Sequence, residues 1–284
     1  EKLEVIYRNA NRMNYLINEL LTFSKIEMKQ MRISVRKGDI MHFLEELSHI
    51  FDIVAGEREI DFIVNLEDTE EEVWFSPSKL ERILYNLLSN AFKYTQPGGY
   101  VRLSAKLIKE EKETMVQISV KDSGRGIPKD VQEQIFESYY QVEKRDHREG
   151  FGLGLSLTRS LIHMHKGEIR VESEVNKGSD FIVTLNVSED AYAPDERSSE
   201  NITTEEIQKY NQRIKETIEL IPEKLTNKEK DSGRESIMIV EDNKEMNDYL
   251  ASIFGEKYDI IRAYNGAEAC KKIARQLPNL IISD

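Results

Sequence analysis

Asn86, Asn90 and Lys93 fall at i, i+4 and i+7 of the apolar stretch Asn86-Leu87-Leu88-Ser89-Asn90-Ala91-Phe92-Lys93-Tyr94-Thr95. On a helix that spacing sets two carboxamides and one cation on a single face. Such a face suits a magnesium triphosphate. Farther on, Asp122-Ser123-Gly124-Arg125-Gly126-Ile127 follows an alternating apolar stretch, which predicts a carboxylate at the rim of a sheet. Gly124 and Gly126 admit close approach there, and a carboxylate so placed can accept an exocyclic amine. For that hexapeptide alone, a turn closed by an Asx bond is the structural alternative. The third stretch, Gly150-Phe151-Gly152-Leu153-Gly154-Leu155-Ser156, opens a predicted helix, whose bare amides and positive end favour phosphate. Its spacing is G-x-G-x-G after the charged run Glu143 to Glu149, so it does not fit the dinucleotide fingerprint. No Gly-Lys-Ser or Gly-Lys-Thr follows a glycine-rich loop, so it is not a Walker A loop either.

These stretches need elements to hold them. Ser76-Pro77-Ser78 introduces the helix that carries the asparagine face. An amphipathic helix is expected around Ile40 to Val54, then a strand near Ile60 to Leu66. Val101 to Ile108 and Val116 to Val120 alternate as two strands joined by the charged Lys109 to Glu113, and they frame Asp122. Leu155 to Met164 reads as a helix, and Glu168 to Val175 with Asp180 to Val187 as a closing hairpin. The expected fold class is α+β, a two-layer α/β sandwich with helices over a mostly antiparallel sheet spanning 31–187.

Residues 3 to 28 hold no Gly or Pro and place Leu3, Ile6, Ala10, Met13, Ile17 and Leu20 at three- and four-residue steps. Leu16, Leu21 and Phe23 widen that stripe, which fits either a helix of a four-helix bundle or one packed on its own domain. Residues 188–235 are polar and charged and read as a linker. Within it Ile207, Tyr210, Ile214, Ile218, Ile221 and Leu225 mark a short amphipathic helix, either docked on a neighbour or transient in a tether. From Ser236 the pattern changes to strand, helix, strand, helix, strand, ending at Asn279 to Ile282. That alternation argues for a partial doubly wound, flavodoxin-like parallel sheet over 236–284.

The 284 residues suit two or more domains. A net charge of −12 argues against a nucleic-acid surface. The single cysteine, Cys270, excludes an internal disulfide and a cysteine metal cluster, which fits a reducing compartment. No run approaches the length needed to cross a bilayer. The start at Glu1 and the stop directly after an apolar strand lead to the expectation of a segment of something longer.

The three stretches together resemble the nucleotide-binding boxes of sensor histidine kinases, whose ATP domain is shared with gyrase, heat-shock chaperones and mismatch-repair ATPases (the GHKL group). The resemblance implies ATP and Mg2+ as cofactors. It implies Asn90 as magnesium ligand, Asn86 and Lys93 on metal or phosphates, Tyr94 beside the nucleotide, and Asp122 on the adenine amine. Gly124, Gly126 and Ile127 would shape that pocket, and Gly150 to Ser156 would form the hinge of an ATP lid. Ile135-Phe136-Glu137-Ser138-Tyr139-Tyr140-Gln141 resembles the family's phenylalanine box, with Tyr139 where Phe is usual. The related hydrolases carry a general-base Glu four residues before the magnesium asparagine; here that residue is Asn86, which cannot take a proton. Kinase is therefore preferred to ATPase, the alternatives being a hydrolase of the same group or an inactive nucleotide-binding scaffold.

None of His42, His49, His147, His163 and His165 lies in the family's phosphoacceptor pattern, in which an acidic residue follows the histidine closely. Residues 1–30 then resemble the second helix of a dimerisation hairpin, and the first helix with its histidine is expected upstream. This segment alone is expected not to autophosphorylate. The C-terminal segment resembles a receiver domain. Glu241, Asp242 and Asp284 would form its magnesium site, and Asp284 would be the phosphoacceptor. The layout implies a homodimer through the N-terminal helix, phosphotransfer to its own or a partner's receiver, and no nucleic acid. Contact with a membrane would come only through upstream segments, this being the cytoplasmic portion of an inner-membrane sensor. Half a parallel sheet with an open edge is expected to be mobile or to borrow contacts.

Overall fold

A computed structural model of the chain describes residues 17–28, 30–69, 71–111, 113–138, 140, 152–200, 202–218, 235–255, 257–273 and 278–283. The chain divides into two compact units, 1–224 and 225–284.

In the first unit, helix α1 covers 17–27 and strand β1 Arg36–Asp39, followed by helices α2 (Ile40–Ser48) and α3 (Ile50–Arg58). Strands β2 (Asp61–Leu66) and β3 (Glu72–Phe75) lead into helix α4 (Pro77–Tyr94), then β4 (Tyr100–Lys109) and β5 (Thr114–Asp122). Helix α5 (Gly154–Met164), β6 (Glu168–Glu174), β7 (Gly178–Asn186) and α6 (Thr204–Ile218) complete it. The main sheet runs β2-β4-β5-β7-β6, antiparallel except for the β2–β4 pair. Alternate residues of the central strands, among them Val101, Leu103, Val116, Ile118, Val120, Val183 and Leu185, are buried on one face under the helices. Helix α4 buries Leu80, Ile83, Leu84, Leu87, Leu88, Ala91 and Phe92 against that face, at the spacing of an apolar helical stripe. Its opposite flank is left for the polar residues. The two-layer expectation for this unit is met.

Three features differ from expectation. The single helix expected over 40–54 is two helices that meet at His49, and the second continues to Arg58. Ser48 Oγ donates to the Glu45 carbonyl at 2.7 Å, an acceptor it shares with the His49 N–H at 3.3 Å. A small antiparallel pair, β1 with β3, lay unread in the sequence, because four-residue strands leave little alternation to see.

The third difference lies in 188–218, which are integral to the first unit rather than a free tether. Tyr192 is buried, and its hydroxyl donates to the Asn186 carbonyl at 2.5 Å. Val35 exchanges backbone hydrogen bonds with Glu196 (2.8 Å) and Ser198 (2.9 Å). On α6, Ile207, Tyr210 and Ile214 are buried at i, i+3 and i+7, and Tyr210 meets Phe43 edge-on at 6.0 Å. Arg36 grips Glu206 with both terminal nitrogens, at 2.7 and 2.5 Å. Ile221 and Leu225 lie outside the described residues.

On α1 the heptad positions Ile17 and Leu20, and Leu21 beside them, are exposed, while Arg82 of α4 donates to Thr22 at 2.8 Å. In the second unit β8 (Ser236–Val240), β9 (Asp259–Ala263) and β10 (Leu280–Ser283) form a parallel sheet in the order β10-β8-β9. Ile237 and Ile239 pack under α7 (Lys244–Phe254), while Met238 packs with Ala269 of α8 (Gly266–Ile273) on the other face.

Candidate nucleotide site

The three polar stretches converge in the first unit. Ser76 and Pro77 start α4, and Thr95 ends it with its hydroxyl bonded to the Ala91 carbonyl at 2.7 Å. Between those ends Asn86, Asn90, Lys93 and Tyr94 are partly exposed on the flank turned away from the core. Asn86 Nδ2 donates to Thr158 Oγ1 of α5 at 2.7 Å, and Asn90 Nδ2 approaches Asn86 Oδ1 at 3.5 Å. Gly154, the first residue of α5, lies so close that a Cβ there would stand 2.5 Å from Asn86 Oδ1. The first and third stretches are therefore in contact.

The second stretch closes on the first from the end of β5. Asp122 Oδ1 accepts the Gly124 N–H at 2.8 Å, so the Asx turn weighed for the hexapeptide does form. A Cβ on Gly124 would lie 2.5 Å from the Tyr94 carbonyl oxygen, which makes glycine the residue that lets turn and helix end meet. Gly126 sits at φ +69°, and a Cβ there would lie 2.1 Å from the Glu174 carbonyl oxygen. Ile127 N–H donates to Ser173 Oγ at 2.8 Å, which fastens the turn to β6.

Asp122 is 5% exposed. Burial pushes its carboxyl up to about 6, against the opposing pull of the Gly124 and Ser179 amides. A dry carboxylate of this kind gains a great deal from a donor brought to it. At the third stretch Gly152 has φ +69°, Leu153 is buried, Leu155 packs on the core, and Ser156 Oγ donates back to the Leu153 carbonyl at 2.9 Å. What the start of α5 offers a ligand is thus its backbone N–H groups. Gly150, Phe151, Tyr139 and His147 lie outside the described residues. Of the phenylalanine box, Ile135 and Phe136 are buried, with Phe136 edge-on to Phe181 at 6.3 Å.

Thr158 and Arg125 went unmarked in the sequence. Thr158 follows Gly154 by one helical turn, so the spacing that flagged the glycine also put the threonine on its face. In the second unit Glu241 and Asp242 follow β8, and Glu241 accepts the Asn243 N–H at 3.2 Å. Asp284 lies outside the described residues, and among the described residues no three acidic, His or Cys side chains gather as a metal site.

A mostly antiparallel sheet under helices, with an asparagine helix, a glycine-flanked aspartate and a glycine-opened helix brought into mutual contact, defines an ATPase-type nucleotide domain. Residues 75–189 match the family described as histidine kinase-, DNA gyrase B- and HSP90-like ATPases. The chain belongs to the sensor histidine kinases of this type. It is similar to Histidine kinase P4 of Formosa agariphila (33% identity over 100% of this chain and 21% of the relative). It is also similar to sensor histidine kinase TmoS of Ectopseudomonas mendocina (32% identity over 100% of this chain and 29% of the relative). The chain thus spans less than a third of either curated relative's length. In fold it is similar to full-length ShkA, solved in complex with AMPPNP, at TM-score 0.56 and 20% identity over 93% of this chain and 48% of that one. The Acinetobacter baumannii histidine kinase AdeS aligns at TM-score 0.52 and 20% identity, over 65% of this chain and 83% of that one.

The fit between Gly154 and Asn86 gives a direct prediction. Gly154→Ala should displace a carboxamide already tied to Thr158 and Asn90, and weaken nucleotide binding by on the order of tenfold. The melting temperature should fall slightly, because Gly154 is the first residue of α5, where helix propensity counts little, while the added Cβ would meet Asn86 Oδ1 at 2.5 Å and strain its bond to Thr158. Titration calorimetry beside a thermal melt checks both; unchanged affinity would show that Asn86 plays no part.

Proposed function

We propose that the chain is the ATP-binding core of a hybrid histidine kinase, with Mg2+-ATP held between α4, the Asp122 turn and the start of α5. Asp122 receives the adenine amine, Tyr94 flanks the base, and Lys93 with the α5 amides faces the phosphates. Asn90, with Asn86 beside it, supplies the neutral oxygen donors that suit a magnesium ion already bound by phosphate oxygens. Magnesium neutralises charge on the phosphates; the protein positions them. The γ-phosphoryl group passes to a histidine nitrogen supplied by an upstream helix, and ADP leaves. From that histidine the phosphoryl group is relayed to Asp284 of a receiver domain, to which 236–284 belong and whose magnesium site includes Glu241 and Asp242. The N-terminal helix pairs two copies, and a membrane is reached only through segments upstream.

The observation that carries the reading is Asn86. It lies where the hydrolases of this group keep a water-activating carboxylate, and it is locked there by Thr158 and Gly154. Nothing at that position can deprotonate water, so the phosphoryl group is kept for a side chain.

The chain should therefore bind Mg2+-ATP without steady release of phosphate and without label on any of its five histidines. Asn90→Ala should weaken that binding by about tenfold. Steady phosphate release that Asn90→Ala abolishes would establish the ATPase reading instead, and no binding at millimolar nucleotide would leave an inactive scaffold.

A further inference from the structure

Tyr94 carries two cations. Lys93 Nζ lies 4.9 Å from the centre of its ring and the Arg125 guanidinium 4.5 Å from it. Lys93 comes from the same helix, but Arg125 comes from the Asp122 turn, a separate element that meets the end of α4 at Gly124. The backbone at Arg125 is fastened: its carbonyl accepts the Asn176 N–H at 2.7 Å, and its neighbours Gly124 and Gly126 are pressed against Tyr94 and Glu174. With the backbone fixed, the exposed side chain reaches back over the ring.

The two cations are not equivalent once a nucleotide enters. Under the function proposed above, on which this inference rests, Lys93 turns to the phosphates, and a compact ammonium serves that role well. The planar guanidinium is the better group to lie on an aromatic face, and it then remains as the ring's partner. We propose that Arg125 is a positioning residue for the nucleotide. It holds the Tyr94 ring at the pocket mouth in the orientation that flanks adenine, and it acts through the ring rather than on the phosphates.

The full chain, titrated calorimetrically with Mg2+-ATP, Mg2+-ADP and adenosine, tests this. An exposed cation–π contact predicts that Arg125→Ala raises the dissociation constant about two- to five-fold. The factor should be the same for all three ligands, with the melting temperature unchanged. Arg125→Lys should recover part of the loss, and in a Tyr94→Leu background Arg125→Ala should change nothing further. A loss that grows with the number of phosphates, or that persists without the Tyr94 ring, overturns the inference by making Arg125 a direct phosphate contact or a merely structural residue. If the unaltered chain binds normally and Arg125→Ala matches it, the inference alone fails. If the unaltered chain binds none of the three, the nucleotide reading falls and takes the inference with it.

Discussion

Asp122→Asn is expected to weaken Mg2+-ATP binding by about thirty- to a hundredfold while raising the melting temperature of the nucleotide-free protein. Both effects come from one buried carboxyl group. Under the proposed function its charge would make a strong hydrogen bond to an exocyclic amine, worth about 2–3 kcal/mol, whereas asparagine would turn an NH2 group toward that amine. The same charge is costly when the pocket is empty. Burial raises the carboxyl from 3.8 to about 6, so at neutral pH the folded state carries a penalty on the order of 3 kcal/mol. Asparagine removes the penalty and can keep the 2.8 Å bond from the Gly124 N–H.

The sign of the pH effect follows. A folded-state pKa above the unfolded one means that this group's favourable contribution is complete below 3.8 and is lost as pH rises through about 6. Binding runs the other way, since it needs the ionised form, so affinity should fall as pH drops below about 6 and should be flat there in the variant. Calorimetry across pH 5 to 8 with matched thermal melts measures both trends. A variant that binds normally would remove Asp122 from the site, and one that melts lower than the parent would remove the burial penalty.

How much of this was legible depends on the distance between the residues concerned. Asn86, Asn90 and Lys93 are neighbours through helical periodicity, and Asp122 with Gly124 through a turn, so short spacings revealed them. The grip of Arg36 on Glu206 joins residues 170 apart, and only that pairing, with Phe43 against Tyr210, separates a docked α6 from a transient helix in a tether. Helical periodicity is the same in both cases. The break at His49 was hidden for another reason: the apolar pattern runs through it unbroken, and no glycine or proline marks it. Nothing local marks Arg125: the glycines around it account for the turn, while its ring contact depends on where α4 ends.

His165 shows the same limit and sets the second large effect. In sequence it is one of five histidines outside the phosphoacceptor pattern; in the fold it is fully buried between the end of α5 and the start of α4. The Ser76 N–H can only donate, so Nε2, at 3.2 Å, must be the acceptor. Nδ1 then carries the proton and donates to the Leu161 carbonyl at 3.0 Å. The histidine carbonyl accepts the Asn186 N–H at 3.2 Å, and the Tyr192 hydroxyl, whose proton goes to the Asn186 carbonyl, lies 3.3 Å from it. One residue thereby ties together α4, α5 and β7. His165→Ala should cost about 3–4 kcal/mol through the cavity and the orphaned Ser76 N–H, lowering the melting temperature by roughly 10 °C.

Charging the ring would set a second N–H against that of Ser76. Burial, chiefly, with Lys79 nearby, lowers its pKa from 6.5 to about 4 despite the bond to Leu161. The unfolded chain therefore binds the proton first. The contribution of His165 is complete above 6.5 and is lost as pH falls toward 4, to the extent of about 3 kcal/mol. Asp122 contributes with the opposite sign over nearly the same interval, so in the parent protein the two trends offset each other. Removing one should expose the other. Asp122→Asn should destabilise more steeply than the parent between pH 6.5 and 4, and His165→Ala less steeply. Parallel melting curves for all three proteins across that range would show that neither group is buried in the ionisation state its neighbours require.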